Sequence, residues 1–265
     1  MTRITPYILL LAGLFFTSCV PTKDLIYLQN KGDSEVNTPV NQVVSKPYRV
    51  QTNDVLSITI KAIDPKLVSI FNPNSNEGSA PAQTGESAYF EGYNVDDHGN
   101  IRVPVLGELN VLGNTTDEIR VKIETLLLAE YFKAEANIFV IVKLAGFRYT
   151  INGEIVSPGS KVLYRDQVSI IEAIANAGDI TITGDRKEVM VMRQFPQGIE
   201  MHNIDLTDIK AMQSPYYYLQ PNDFIYIKPL KQKTWGTGTT GIQSFTTIVS
   251  ILTLMISTYL IFKSL

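Results

Sequence analysis

Cysteine is almost absent: Cys19 is the only one in 265 residues. A disulfide needs two, so no internal bridge staples this chain, and a cysteine-rich metal site is excluded. Histidine is nearly as scarce, and His98 and His202 each lack a nearby second His or Cys, so no metal is expected. Charge is thin at 18% of residues with a net of -3, which offers no basic face for phosphates and argues against nucleic acid as a partner. The patterns G-x-S-x-G, H-E-x-x-H, C-x-x-C and the P-loop are missing. Asp96 and Asp97 are adjacent carboxylates, but they fall at a turn, and neighbours on a strand face opposite ways, unlike a glycosidase pair. The sequence therefore gives no catalytic residue and no cofactor, and it does not read as an enzyme.

What is present begins with a leader. Arg3 supplies a positive start, residues 4–16 are an apolar run too short to span a bilayer, and small Thr17 and Ser18 precede Cys19. Phe16-Thr17-Ser18-Cys19 resembles a bacterial lipobox, which implies that residues 1–18 are removed and Cys19 is acylated. The other reading is an ordinary signal peptide with a buried thiol. Residues 19–47 are polar and poor in aromatics, with a breaker cluster at Asn30-Lys31-Gly32-Asp33-Ser34, and read as a lipidated N-terminus and linker.

A strand-rich stretch follows. Val55-Leu56-Ser57-Ile58-Thr59-Ile60-Lys61 alternates as a strand. Residues 72–92 turn to Asn, Ser, Glu, Gly, Pro and Ala and read as a long exposed loop. Residues 93–105 read as two short strands about a turn at Asp97-His98-Gly99-Asn100. Thr115 with Glu118 forms a capping box that opens a helix to about Phe132, burying Ile119, Ile123, Leu126 and Leu127. A strand over residues 137–144 closes this part. Further on, the pattern predicts a strand over 148–156, a helix over 169–177 ending at Gly178, and strands over 188–193 and 223–228. One pattern occurs twice. Gln51-Thr52-Asn53-Asp54 and Gln220-Pro221-Asn222-Asp223 each lead into an apolar alternation, which predicts one turn-to-strand device used by two related modules.

Together these motifs resemble the outer-membrane polysaccharide export lipoproteins of the Wza type. Residues 48–58, Val95-Asp96-Asp97-His98-Gly99-Asn100-Ile101-Arg102-Val103-Pro104-Val105-Leu106-Gly107 and Gly113-Asn114-Thr115 look like the polysaccharide export sequence domain. Ile151-Asn152-Gly153-Glu154-Ile155-Val156-Ser157-Pro158-Gly159 and residues 171–178 are similar to the soluble-ligand-binding β-grasp (SLBB) domain. Asn53 and Asn222 stand where the family uses Gly, and one SLBB copy is visible. The resemblance implies an α+β chain of two small β-rich modules, residues 48–145 and 146–230. Its implied function is an outer-membrane export channel for capsule or exopolysaccharide, built as a homo-oligomer, an octamer in the best-known case. The implied partners are the exported polysaccharide, membrane lipid and an inner-membrane co-polymerase with its tyrosine kinase.

The last element expected is a membrane helix. After a Gly/Thr hinge at residues 231–241 with Trp235, residues 242–262 are uncharged and, as a helix, reach about 31 Å. Gln243, Thr246, Thr247, Ser250, Thr253, Ser257 and Thr258 fall on one side of that helix. A ring of such helices would line a pore with Gln243, Thr246, Ser250, Thr253 and Ser257. The alternatives are a simple anchor whose hydroxyls bond their own backbone, and a glycan-binding or adaptor lipoprotein.

Overall fold

The computed structural model describes residues 21–32, 43–44, 46–72, 90–132, 137–195, 197–234 and 241–264. Cys19, the leader, most of the 72–92 loop and Trp235 lie outside the described residues. Buried side chains form two separate cores, one drawn from residues 50–142 and one from residues 147–227.

The first unit is built on β1 (Val55–Lys61), whose alternation points Leu56, Ile58 and Ile60 inward. It pairs antiparallel with β2 (Tyr93–Asn94) on one side and β5 (Phe139–Leu144) on the other. Between them lie the hairpin β3 (Asn100–Val103) and β4 (Gly107–Asn110), then α1 (Thr116–Glu130). The capping box is formed: Glu118 N–H donates to Thr115 Oγ1 at 3.2 Å and Thr115 N–H donates to the Glu118 carboxylate at 2.8 Å. Ile119, Ile123 and Leu127 are buried and Leu126 is half-buried. The turn after residue 95 exists, closed by Asp96, whose carboxylate accepts the N–H groups of His98 and Asn100. Its flanking strands do not pair with each other as the sequence suggested. Residues 93–95 are taken by the β1 side, where Val95 N–H donates to Asp54 O, so β3 pairs with β4 instead.

The second unit is a five-stranded sheet in the order β7-β6-β10-β8-β9, from β6 (Phe147–Gly153), β7 (Gly159–Leu163), β8 (Gly184–Phe195), β9 (Gly198–Ile204) and β10 (Phe224–Pro229). Only β6 and β10 run parallel. The helix α2 (Ile170–Asn176) begins with its own capping box between Ser169 and Glu172 and buries Ile170, Ala173 and Ile174. Gly153 is required where β6 meets β10: φ is +93°, and a Cβ there would lie 2.0 Å from Ile227 O.

Residues 21–32, expected to be part of a free linker, are held against the second unit. Leu28 and Gln29 N–H donate to the carbonyls of Leu206 and Thr207, both at 2.9 Å, and Ile209 N–H donates back to Gln29 O at 3.0 Å. Lys31 pairs with Asp205 and Asp24 with Lys187.

At the far end, α3 (Lys231–Thr234) precedes α4 (Gly241–Ser264). The expected C-terminal transmembrane helix is corrected: among the described residues, no helix is long and apolar enough to cross a membrane. The physical reason lies in α4. Between Thr246 and Tyr259 its apolar side chains are interrupted by the hydroxyls of Thr246, Thr247, Ser250, Thr253, Ser257 and Thr258, which lower the apolar character that a bilayer core requires.

Candidate functional site

The repeated Q-x-N-D pattern becomes the same turn twice. Asn53 and Asn222 both adopt left-handed backbone, at φ +68° and +69°, the conformation that suits Gly or Asn. In the first turn Gln51 N–H donates to Asp54 Oδ2 at 2.8 Å, and in the second Gln220 N–H donates to Asp223 Oδ2 at 2.7 Å. Each Asn N–H then donates to a neighbouring strand, to Val95 O at 2.9 Å and to Arg148 O at 2.7 Å.

The two turns sit against one another across the seam between the units. Asn222 Nδ2 reaches Asp54 Oδ1 at 3.5 Å, and residues of both turns line a small cleft with Ala145, Gly146 and Val162. Beside it opens a groove of about 820 Å³, bounded by residues of both units and by residues 43–44 and 46–49.

The two aspartates differ in their partners. Asp223 is 1% exposed and takes a bidentate pair from Arg193, Nε to Oδ1 at 2.9 Å and Nη2 to Oδ2 at 2.8 Å. Burial pushes its carboxyl upward, and the Arg193 guanidinium pulls against that. Asp54 is 5% exposed and meets no cation among the described residues; Tyr48 OH donates to it at 2.8 Å. Burial raises the Asp54 carboxyl, opposed by hydrogen bonds from Gln51, Tyr48 and Asn222. The Tyr48 hydroxyl is itself pushed well up by burial and by the Asp54 charge.

Aromatic rings reach the groove, but their faces are already used. His202 stacks on Tyr216 at 3.8 Å between centroids and Arg193 lies over the same ring at 4.8 Å, while the Tyr216 hydroxyl donates to Glu200 at 2.5 Å. Tyr218 packs edge-on against Tyr217. These contacts all lie within the second unit, and among the described residues they bring no nucleophile, general base and oxyanion donors into mutual reach.

The residues expected to line a pore make other bonds. Ser250 Oγ donates to Thr246 O at 2.8 Å, Thr253 Oγ1 to Val249 O at 2.7 Å, and Ser257 Oγ to Thr253 O at 2.7 Å. Thr258 does the same to Leu254 O at 2.9 Å. These hydroxyls satisfy their own helix backbone. The side chain of Gln243 lies outside those described, as does Cys19. No group of His, Cys, Asp and Glu able to hold a metal occurs among the described residues.

Two residues of structural weight had no assigned partner in sequence reasoning. Glu154 accepts from Thr181 at 3.0 Å and Thr183 at 2.6 Å and pairs with Lys233. Burial pushes its carboxyl up, yet those three partners hold it below the usual carboxylate range. Arg186, 6% exposed, lies over the Tyr27 ring. The Gly-Glu pair before Ser-Pro-Gly was the only available signal for either.

Comparison with known proteins bears on the first unit and part of the second. Residues 42–143 match the family described as polysaccharide biosynthesis/export protein. The chain is 32% identical over 168 residues to the EPS I polysaccharide export outer membrane protein EpsA of Ralstonia solanacearum, covering 62% of this chain and 44% of that protein. It is 29% identical over 164 residues to the protein of the same description from Ralstonia nicotianae, covering 60% and 42%. The matched stretch thus spans less than half the length of these relatives. The first of the twin turns, the capped helix, β1 through β4 and most of β5 all lie inside the stretch of this chain that is similar to the polysaccharide biosynthesis/export family.

Proposed function

We propose that this chain is an outer-membrane component of polysaccharide export, handling the polymer without reacting with it. The single observation that carries the reading is the export-family match over residues 42–143; the printed names of its Ralstonia relatives support the same role and location. In this reading the second unit is an SLBB module, and acylation of Cys19 anchors the chain to lipid. Several copies assemble into a periplasmic ring, and an inner-membrane co-polymerase with its tyrosine kinase supplies the polymer. The α4 helix is given no membrane-crossing role.

The test is deletion and complementation in the native bacterium, with extracellular and cell-associated polysaccharide measured separately. Loss of secreted polymer, restored by the intact chain, is expected. Undiminished secretion after deletion would overturn the export role, and secretion with poorer retention at the cell would favour a glycan-binding adaptor. Cys19→Ser is expected to abolish fatty-acid labelling and release the chain from the membrane fraction, and persistent labelling would overturn the acylation site. Native mass measurement in mild detergent reports the ring directly, where a monomer would remove it.

A further inference from the structure

We propose that residues 179–187 of the second unit form a junction that couples the strap at residues 21–31 to the exit of the second unit at residues 230–234. The inference stands on contacts alone and does not rest on the export reading.

The strap reaches the junction first. Tyr27 OH donates to Asp179, its ring lies 5.3 Å beneath the Arg186 guanidinium, and Asp24 pairs with Lys187 at 2.7 Å. The buried Arg186 then turns back to the same loop, donating to Ile180 O at 2.7 Å and Thr181 O at 3.3 Å. From Thr181 the contacts continue to the other end. Thr181 N–H donates to Glu154 O at 3.0 Å, and the hydroxyls of Thr181 and Thr183 both meet the Glu154 carboxylate. Glu154 pairs with Lys233 in α3, and Leu230 N–H donates to Thr183 O at 2.8 Å.

Tyr27, Arg186, Thr181, Glu154 and Lys233 therefore form one contiguous path across a single corner of the unit. Its central cation is tuned to the arrangement: Arg186 is buried, Nε has no hydrogen-bond partner among the described residues, and its other nitrogens grip loop carbonyls. A buried guanidinium bonded to carbonyls keeps its place only while the ring above it excludes water. Removing that ring lets water in and frees the carbonyls of residues 180 and 181, in the same loop whose Thr183 carbonyl accepts the Leu230 N–H and whose threonines hold Glu154.

Coupling of this kind is reciprocal, so disturbing either end must loosen the other by the same factor. Amide hydrogen exchange on the purified full chain in detergent tests it. Tyr27→Ala is expected to speed exchange at Leu28 and Gln29 by about tenfold or more, and to speed Leu230 by about three- to tenfold. Glu154→Gln is expected to do the converse, speeding Leu230 most and Leu28 with it. Release of the strap amides with Leu230 unchanged, or the reverse, would overturn the proposal. If Tyr27→Ala speeds all of β6 and β8 together, the unit has unfolded, and Glu154→Gln decides by the same criterion, since it disturbs the exit and leaves the Tyr27 ring in place.

Discussion

Two turns with the same four-residue pattern solve the same backbone problem and differ in what faces the aspartate. Around Asp223 the neighbour is a buried guanidinium, while around Asp54 it is a phenol and a carboxamide from the other unit. The backbone geometry is shared because it depends only on a left-handed Asn and a carboxylate that accepts the N–H three residues back. The electrostatics are not shared, because they depend on side chains supplied from distant strands. One turn is therefore bound by charge within its own unit. The other trades charge for a contact across the seam.

Removing each carboxylate sharpens this contrast most. Asp223→Ala leaves Arg193 buried and unpaired, and a loss of about 3–5 kcal/mol is expected in urea unfolding of the second unit. Asp54→Ala strands no cation, so a smaller loss of about 1–3 kcal/mol is expected for the first unit. Equal losses would show that the guanidinium contributes nothing distinctive.

Burial raises both aspartates, and at Asp223 the Arg193 guanidinium opposes it while at Asp54 only hydrogen bonds do. Burial holds the folded-state value of Asp54 above its unfolded one, so the folded chain keeps that proton longer. Its contribution to stability is full below the ordinary carboxylate range near about 4 and is lost as pH rises through the raised value. Melting temperatures across that window should fall less steeply with rising pH in Asp54→Asn than in the parent chain, and matching slopes would contradict the assignment. Tyr48→Phe removes one donor to the ionised carboxylate. It should cost about 0.5–1.5 kcal/mol at neutral pH and move the same midpoint upward.

The smallest effect is expected at the left-handed positions. Asn53→Gly should change thermal stability by less than about 1 kcal/mol, because Gly accepts φ +68° without strain. Asn222→Gly should be worse than Asn53→Gly, since it alone gives up the carboxamide that reaches Asp54.

Much of the framework was legible where local chemistry decides. The α1 cap needed only Thr115 and Glu118, β1 and β5 needed only alternation, and the twin turn announced itself by repetition. Legibility failed where partners are remote. The strap is polar and aperiodic, and its docking relies on carbonyls of Leu206 and Thr207 that leave no trace near Leu28. β9 has almost no buried face to generate a period, since six of its seven residues are exposed. The hydroxyls of α4 illustrate a different failure. A one-sided row of Ser and Thr has the same sequence signature whatever it faces, and the bonds these exposed hydroxyls make to their own backbone do not distinguish one role from another. The site's charges were unreadable for the reason the strap was: nothing near Asp223 in sequence points to Arg193.

The docked strap also orders events in time. Its hydrogen-bonding surface is assembled from residues 206–209, so it cannot exist before β8 and β9 have formed. Closing a loop of that length carries an entropic cost that only a finished surface can offset. The first described segment in chain order is thus expected to dock last, and pulse-labelled hydrogen exchange during refolding checks it: protection at Leu28 and Gln29 should follow protection of β8 and β9.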